Sequence, residues 1–241
     1  MSGHVHKDYT AAKFGMWLFL FTEVLLFGGL FILYAVYLAR YPQEFISAGQ
    51  ELNVWFGGGN TLVLLTSSLF VAVSITALRR GAKKLCLGLL GATIVCAAIF
   101  MINKYFEWTA KIDHGIYPGS EHLKELQPGE MVFFNIYYLT TGLHGIHVVI
   151  GGLVLAWTML LIKSDRVNAD DWVILENAGL YWHLVDLIWI FIFPLYYLIL
   201  HQKRGRGTRY VGREKKNLST PVRCAHSRRK RVSTKNKESW V

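Results

Sequence analysis

The sequence predicts an all-α, polytopic membrane protein: a bundle of five transmembrane helices followed by a basic C-terminal tail. Hydrophobic residues make up 53% of the 241 residues, and the mean hydropathy of the chain is +0.31. The apolar residues are gathered into runs of about 20 residues or more, the length that crosses the hydrocarbon layer of a bilayer. Lys and Arg, in contrast, are concentrated after position 200.

The distribution of charge divides the chain into three parts. From His201 onward there are 14 Lys/Arg and two acidic residues, whereas the preceding 200 residues carry 12 basic and 14 acidic residues. We therefore expect a polar leader at 1–13, a membrane domain at 14–200 and a basic tail at 201–241. The tail has few apolar residues, so we expect it to be disordered. The leader does not have the pattern of a cleavable signal peptide.

The first predicted helix spans 14–38 and carries Glu23 near its middle. A loop is predicted at 41–56, followed by a glycine turn at 57–59. The second predicted helix, 60–78, is rich in serine and threonine, whose small hydroxyl side chains let neighbouring helices approach closely and bond across the contact. We therefore expect this helix to be central in the bundle.

The remaining helices follow from three further apolar runs. A short turn at 79–84 with four basic residues leads into the third predicted helix, 85–106. An acidic loop at 107–130 contains two Pro-Gly pairs and separates it from the fourth helix, 131–162. A polar connection then leads to the fifth helix, 175–200.

The basic turn at 79–84 gives the orientation. Positive charge in short connections is retained in the cytoplasm, so we place this turn and the N-terminus there. Five crossings then put the C-terminus outside. The charge of the tail favours the opposite orientation, but a basic segment after the last helix reverses a topology less often.

The fifth helix carries three ionisable residues, Glu176, His183 and Asp186, in an otherwise apolar run. At 100° per residue, Glu176 and His183 fall almost in line and Asp186 lies on the adjoining arc. A polar stripe facing lipid would cost several kcal/mol, so we expect it to face protein or enclosed water. Hydrogen bonds between helices are the simpler interpretation, and a functional intramembrane network is the alternative.

Glu23 has only apolar neighbours one turn away on its own helix, namely Phe19, Leu20, Leu26 and Phe27. Ionising a carboxyl among such neighbours is costly. Two roles are open: a carboxyl that exchanges protons or binds a lipid headgroup, and a protonated acid hydrogen-bonded to a neighbouring helix.

His144 and His147 share one face of the fourth helix with Thr140 and Gly151. Two histidines three positions apart could ligate a metal or a haem. No cysteine or carboxylate belongs to the same local motif, so we expect structural histidines and no metal site. The three cysteines form no CxxC pair.

Four stretches together resemble a known family: TEVLLFGGLF (22–31), NTLVLLTSSLFVAVSIT (60–76), TTGLHGIHVVIGG (140–152) and GLYWHLVDLIWIF (179–191). They closely resemble subunit III of the haem-copper cytochrome c oxidases. The resemblance covers about 14–200, all five helices, and does not extend to the tail. Its combination of HGxHV with YWHxVDxxW is specific.

The resemblance implies an accessory, non-catalytic subunit of a proton-pumping terminal oxidase in aerobic respiration. In that family subunit III binds no redox centre, because haem and copper belong to its partners, subunits I and II. It packs on subunit I near a proton-uptake path and holds structural phospholipids; no nucleic acid is implied as a partner. Glu23 matches the family's membrane-buried glutamate. The family's internal polar positions are matched by His144, His147, Glu176, His183 and Asp186.

Longer family members have two helices before the glutamate helix, so we expect partner subunits to complete the lipid-filled cleft. The short form indicates the cytoplasmic (inner) membrane of a bacterium. Cytochrome c is the expected electron donor; a quinol oxidase and an accessory protein of nitric oxide reductase are the alternatives in the same superfamily. A free-standing proton-coupled transporter is disfavoured because no inverted repeats are visible. A haem-carrying membrane protein is a third class, which an absorption spectrum would identify.

His4 and His6 lie in the leader, on the predicted cytoplasmic side, where the resemblance places the proton-uptake path. Histidine titrates near neutral pH. We therefore consider that these two residues either collect protons or are solvated leader residues.

Overall fold

A computed structural model describes residues 9–169 and 171–198, and every regular element in these ranges is a helix. The elements are α1 (Tyr9–Arg40), α2 (Pro42–Gly49), α3 (Val54–Arg79), α4 (Lys83–Asp113), α5 (Glu121–Glu125), α6 (Pro128–Lys163) and α7 (Val173–Phe193), which continues as a π-helical turn (Pro194–Leu198). Five of them are long and apolar enough to cross a membrane: α1, α3, α4, α6, and α7 with its π-helical turn. The predicted fold class is confirmed. His4, His6 and the tail at 201–241 lie outside the described residues.

The second membrane helix begins earlier than predicted. Asn53 caps α3, since its side-chain oxygen accepts a hydrogen bond from the backbone N–H of Trp55 at 3.0 Å. The glycines at 57–59 therefore lie in the first turns of the helix, and the predicted glycine turn is wrong. A Cβ on Gly57 would lie 2.8 Å from the ring of Phe193, so this glycine allows α3 and the end of α7 to approach closely. The preceding loop also contains a helix, α2.

The third membrane helix ends later than predicted. α4 continues to Asp113, so Glu107 and Lys111 lie in the helix and not in the acidic loop. Both side chains are buried, together with Lys104 one turn earlier. The charges of Glu107 and Lys104 are paired within the protein, which removes the reason for expecting this segment in water.

α7 is the most enclosed membrane helix. Half of its most apolar 18-residue window is buried, compared with 11% for α1. α7 packs against α3 and α6, α4 packs against both α3 and α6, and α1 lies at the edge against α6 and α7. α1 consequently leaves most of its apolar side chains exposed to the surroundings of the bundle.

Two buried tryptophans of α7 bond to hydroxyl groups of α3. The indole N–H of Trp182 donates to Ser67 Oγ at 3.0 Å, and that of Trp189 donates to Thr61 Oγ1 at 3.1 Å. An indole N–H in the apolar layer has no water to bond, so these bonds fix the face that α7 presents to α3.

The close contact of Gly151 on α6 with Trp182 on α7 provides a test of this packing. A Cβ on Gly151 would lie 2.9 Å from Cε3 of Trp182, whereas one on Gly152 would meet no atom within 4 Å. We expect Gly151→Ala to lower the free energy of unfolding by about 1–3 kcal/mol through overpacking. Gly152→Ala, the matched control, should leave it unchanged or raise it by up to about 1 kcal/mol. Unfolding in detergent micelles with increasing dodecyl sulfate, followed by circular dichroism, measures both. If the two substitutions changed the free energy of unfolding equally, the close contact between Gly151 and Trp182 would be contradicted.

Candidate functional site

A carboxyl and an imidazole meet inside the membrane-spanning part of the bundle. Glu23 of α1 faces α6, and its Oε2 lies 2.9 Å from Nε2 of His147. The two side chains are 14% and 11% exposed. Glu23 has no polar neighbour one turn away on its own helix. Its partner is His147 of α6, 124 positions later in the chain.

The other ring nitrogen of His147 determines how protons are placed in this pair. Nδ1 lies 2.8 Å from the carbonyl oxygen of Leu143. A carbonyl can only accept, so Nδ1 carries a hydrogen. In a neutral imidazole Nε2 is then an acceptor, and Glu23 must be the protonated donor; in the charged pair an imidazolium donates to a carboxylate. In both states one proton lies between Nε2 and Oε2.

Aromatic rings enclose the inner side of the pair. Phe27 packs edge-on against the His147 ring at a centroid distance of 5.3 Å, and the Tyr181 hydroxyl donates to the backbone oxygen of His147 at 3.4 Å. On the outer side, Val24 and Leu26 are about half exposed. The pair therefore lies at the edge of the bundle.

His144, one turn before His147, faces a different environment. It is completely buried between the rings of Phe100 and Trp189, at centroid distances of 5.5 and 5.3 Å. Neither of its ring nitrogens has a hydrogen-bond partner among the described residues. His147, in contrast, contacts Glu23 and the Leu143 carbonyl through its two ring nitrogens. In residues 9–169 and 171–198 no group of three or more His, Cys, Asp and Glu side chains could hold a metal ion.

The polar residues of α7 contact different helices. Glu176 Oε2 forms an ion pair with Lys13 Nζ of α1 at 2.7 Å. His183 Nδ1 lies 2.6 Å from the hydroxyl of Ser68 on α3. Asp186 is 3% exposed, and neither of its carboxyl oxygens has a hydrogen-bond partner among the described residues, although the Ser68 hydroxyl lies close by. Asp186 thus lies inside the bundle, whereas Glu176 contacts α1 and His183 contacts α3.

A second ionic cluster was not predicted from the sequence. Lys104 Nζ donates to Glu107 Oε2 at 3.0 Å and also to the hydroxyls of Tyr137 and Tyr197. Both tyrosine hydroxyls donate to Glu107 Oε1, at 2.7 and 2.6 Å. The cluster joins α4, α6 and the π-helical turn. Its only signal in the sequence is the spacing of Lys104 and Glu107, three positions apart on one helix face.

The sequence of this chain is similar to those of oxidase subunits. The family model described as "Cytochrome c oxidase subunit III" matches residues 2–200. The heme-copper oxidase subunit I+III of Aeropyrum pernix is 32% identical over 76% of this chain, which spans 22% of that longer protein. Cytochrome c oxidase subunit 3 of Thermostichus vulcanus is 29% identical, with 81% of this chain and 90% of that protein covered. Cytochrome bo(3) ubiquinol oxidase subunit 3 of Pseudomonas aeruginosa is 27% identical, with 81% and 88% covered.

Chemical modification can test whether Glu23 carries the proton that lies between it and His147. A hydrophobic carbodiimide enters the membrane and activates protonated carboxyls, so we expect it to modify Glu23 in preference to Glu44 and Glu51, which lie outside the membrane-spanning helices. Peptide mapping by mass spectrometry should find the adduct at Glu23, and Glu23→Gln should abolish it. Modification confined to Glu44 or Glu51 would show that Glu23 holds no reactive proton.

Proposed function

The chain belongs to the cytochrome c oxidase subunit III family, and on this premise we propose that it is subunit III of a proton-pumping haem-copper oxidase that oxidises cytochrome c in aerobic respiration. The match over residues 2–200 supports the assignment to subunit III. The relative from Thermostichus vulcanus, named as a cytochrome c oxidase subunit, supports the choice of donor. A quinol oxidase is the second candidate, favoured by the relative from Pseudomonas aeruginosa.

The chemistry of oxygen reduction then belongs to partner subunits. Within residues 9–169 and 171–198 no group of three or more His, Cys, Asp and Glu side chains could hold a metal ion. We place haem and copper in subunits I and II, as the resemblance to the family implies. The Aeropyrum pernix relative, whose name joins subunits I and III, supports subunit I as the direct partner. The exposed apolar face of α1 is available for such a partner and for structural phospholipids.

The basic residues support an orientation in the cytoplasmic membrane of a bacterium. Lys13 pairs with Glu176, and Lys83 pairs with Asp165 at 2.6 Å, so the start of α1, the α3–α4 turn and the α6–α7 connection lie at one end of the bundle. Positively charged connections are typical of the cytoplasmic side. We place this end and the N-terminus there, and the C-terminus in the periplasm. The basic residues at this end are Lys13, Arg79, Arg80, Lys83, Lys84, Lys163 and Arg166.

Within the complex we assign proton exchange to Glu23. It is the fifteenth of the 32 residues of α1, about 21 Å from the start of the helix and close to its midpoint. Lipid headgroups lie at the ends of a spanning helix, so this depth favours proton exchange over headgroup binding. His147 can take the proton of Glu23 without movement of either helix, because the two groups already share it.

The assignment to an oxidase complex has a direct test. Purified gently through an affinity tag in its host membrane, the chain should bring subunits I and II and their haem absorption with it. Purified alone, it should show neither haem absorption nor copper. A stoichiometric b-type haem in the isolated chain would overturn the proposal.

Replacing Glu23 tests its role separately. Glu23→Gln keeps the shape and can still donate a hydrogen bond to His147 Nε2, but the amide has no transferable proton. We expect the complex to assemble with normal spectra, to pump fewer protons per electron and to inactivate several-fold sooner. Proton uptake and turnover number in reconstituted vesicles measure both properties.

Glu125→Gln, at an exposed carboxyl of α5, is the matched control and should behave as the wild type. Wild-type pumping and lifetime in Glu23→Gln would leave Glu23 with a purely structural role.

A further inference from the structure

A cavity of about 300 Å³ lies between the start of α3 and the end of α4. Its lining includes three exposed polar residues, Glu51, Asn53 and His114, and also Glu107, which is only 8% exposed. Glu107 is six positions before the last residue of α4, which is about 9 Å along the helix axis. The cavity therefore connects the exposed end of the bundle with a buried carboxyl.

The size, lining and depth of the cavity suit water. A water molecule takes up about 30 Å³ in the liquid, so a cavity of this volume has room for about ten, and polar side chains are present to bond them. α4 has 31 residues and is about 46 Å long, compared with about 30 Å for the hydrocarbon layer. The end of α4 thus lies beyond that layer, and water can enter the cavity there. This end is opposite to the basic end of the bundle, where α4 begins at Lys83.

The carboxylate of Glu107 can accept one more hydrogen bond. A carboxylate has about four lone-pair positions. Oε1 accepts from the hydroxyls of Tyr137 and Tyr197 at 2.7 and 2.6 Å, and Oε2 accepts from Lys104 Nζ at 3.0 Å. The remaining position, on Oε2, has no donor among the described residues and can accept from water in the cavity.

Glu107 can take up a proton without movement of any heavy atom. The hydroxyl oxygens of Tyr137 and Tyr197 lie 3.2 Å apart, and either can be the donor. When Oε1 carries a proton, the carboxyl donates to Tyr137, Tyr137 turns its hydrogen to Tyr197, and Tyr197 still donates to Glu107. A proton from water is thus added to the carboxylate, and only the Tyr137 hydroxyl hydrogen is reoriented.

The charges around Glu107 determine when this happens. Lys104 forms an ion pair with Glu107, and the ammonium of Lys111, one turn further along α4, interacts with both Glu107 and Glu51. Protonation of Glu107 leaves two ammonium groups facing one carboxylate, and an unpaired buried charge is costly. Glu107 therefore takes up its proton when the water in the cavity becomes acidic.

We propose that Glu107 is a second proton-binding site of this chain, separate from Glu23, and that it exchanges its proton with water through the cavity. The site is reached from the end of the bundle opposite to the basic turn. The titratable groups that face it are Lys104 and Lys111 of α4, Tyr137 of α6 and Tyr197 of the π-helical turn, with Glu51 and His114 at the rim of the cavity.

Infrared spectroscopy of the full chain in detergent tests the proposal, and it needs no oxidase activity, so its outcome is independent of the function proposed above. A carboxyl that is protonated on acidification gains a C=O stretching band. Replacing one member of the buried pair would leave the other charge unpaired, so Lys104→Met is combined with Glu107→Gln. We expect the double variant to lack one carboxyl band of the acid-minus-neutral spectrum, which assigns that band to Glu107.

Blocking the cavity tests the route of exchange. Ala110 is an exposed residue of the lining, whereas its neighbour Thr109 does not belong to the lining. Each is replaced by Cys in a chain without its three native cysteines and is modified with the same bulky, hydrophilic thiol reagent. On transfer to D₂O the Glu107 band shifts as deuterium replaces its proton. We expect modification of Ala110→Cys to slow this shift several-fold and modification of Thr109→Cys, the matched control, to leave its rate unchanged.

Two results would overturn the proposal. One is a double variant that retains every carboxyl band of the wild type, because Glu107 would then take up no proton. The other is an equal rate of deuterium exchange in the two modified variants, because the cavity would then not be the route. If the double variant does not fold, the rates of all carboxyl bands are compared between the modified variants, and equality has the same force.

Discussion

Within the hydrocarbon layer a polar side chain has no water to bond, so its partner must come from the protein itself. In this protein that constraint decides which helix faces meet. The indoles of Trp182 and Trp189 bond to hydroxyls of α3, and the carboxyl of Glu23 bonds to the imidazole of His147. The first two bonds set the rotation of α7 against α3. The third attaches the peripheral helix α1 to α6, where apolar contact alone would allow α1 to slide.

The two ionic sites inside the bundle meet this constraint in different ways. Lys104 and Glu107 are enclosed, and all their bonds are made within the protein, which suits a cluster that holds three elements together. Removing one member of such a buried pair typically costs about 3–5 kcal/mol. Glu23 and His147 share a single proton at the edge of the bundle, beside half-exposed neighbours. An edge position leaves room for exchange with a partner.

The ends of the helices differ in character. At one end Lys13, Arg79 and Lys83 make contacts between connections, with Arg79 stacked over the ring of Trp172 at 4.6 Å. At the other end Lys111 is buried and donates to the backbone oxygen of Glu51 at 3.3 Å. The first end therefore gathers the basic residues that favour one orientation in the membrane.

The sequence by itself determined the fold class, because runs of about 20 apolar residues leave a chain few stable alternatives to spanning helices. It also identified Glu23 and His147 as candidate polar residues inside the membrane. The ends of α3 and α4 were misplaced, because glycines and charged residues normally indicate a turn or a loop. Here contacts from distant segments, the ring of Phe193 against Gly57 and the two tyrosines on Glu107, retain both segments in helices.

Only the tertiary structure decided the pairing. Periodicity gives the face of a residue on its own helix, but it gives neither the rotation nor the axial position of the neighbouring helix. Glu176 and His183 therefore share an arc of α7 and yet contact α1 and α3. Glu23 and His147 meet although 124 positions separate them, because α1 and α6 pack at that depth, and no local pattern in either helix contains this information.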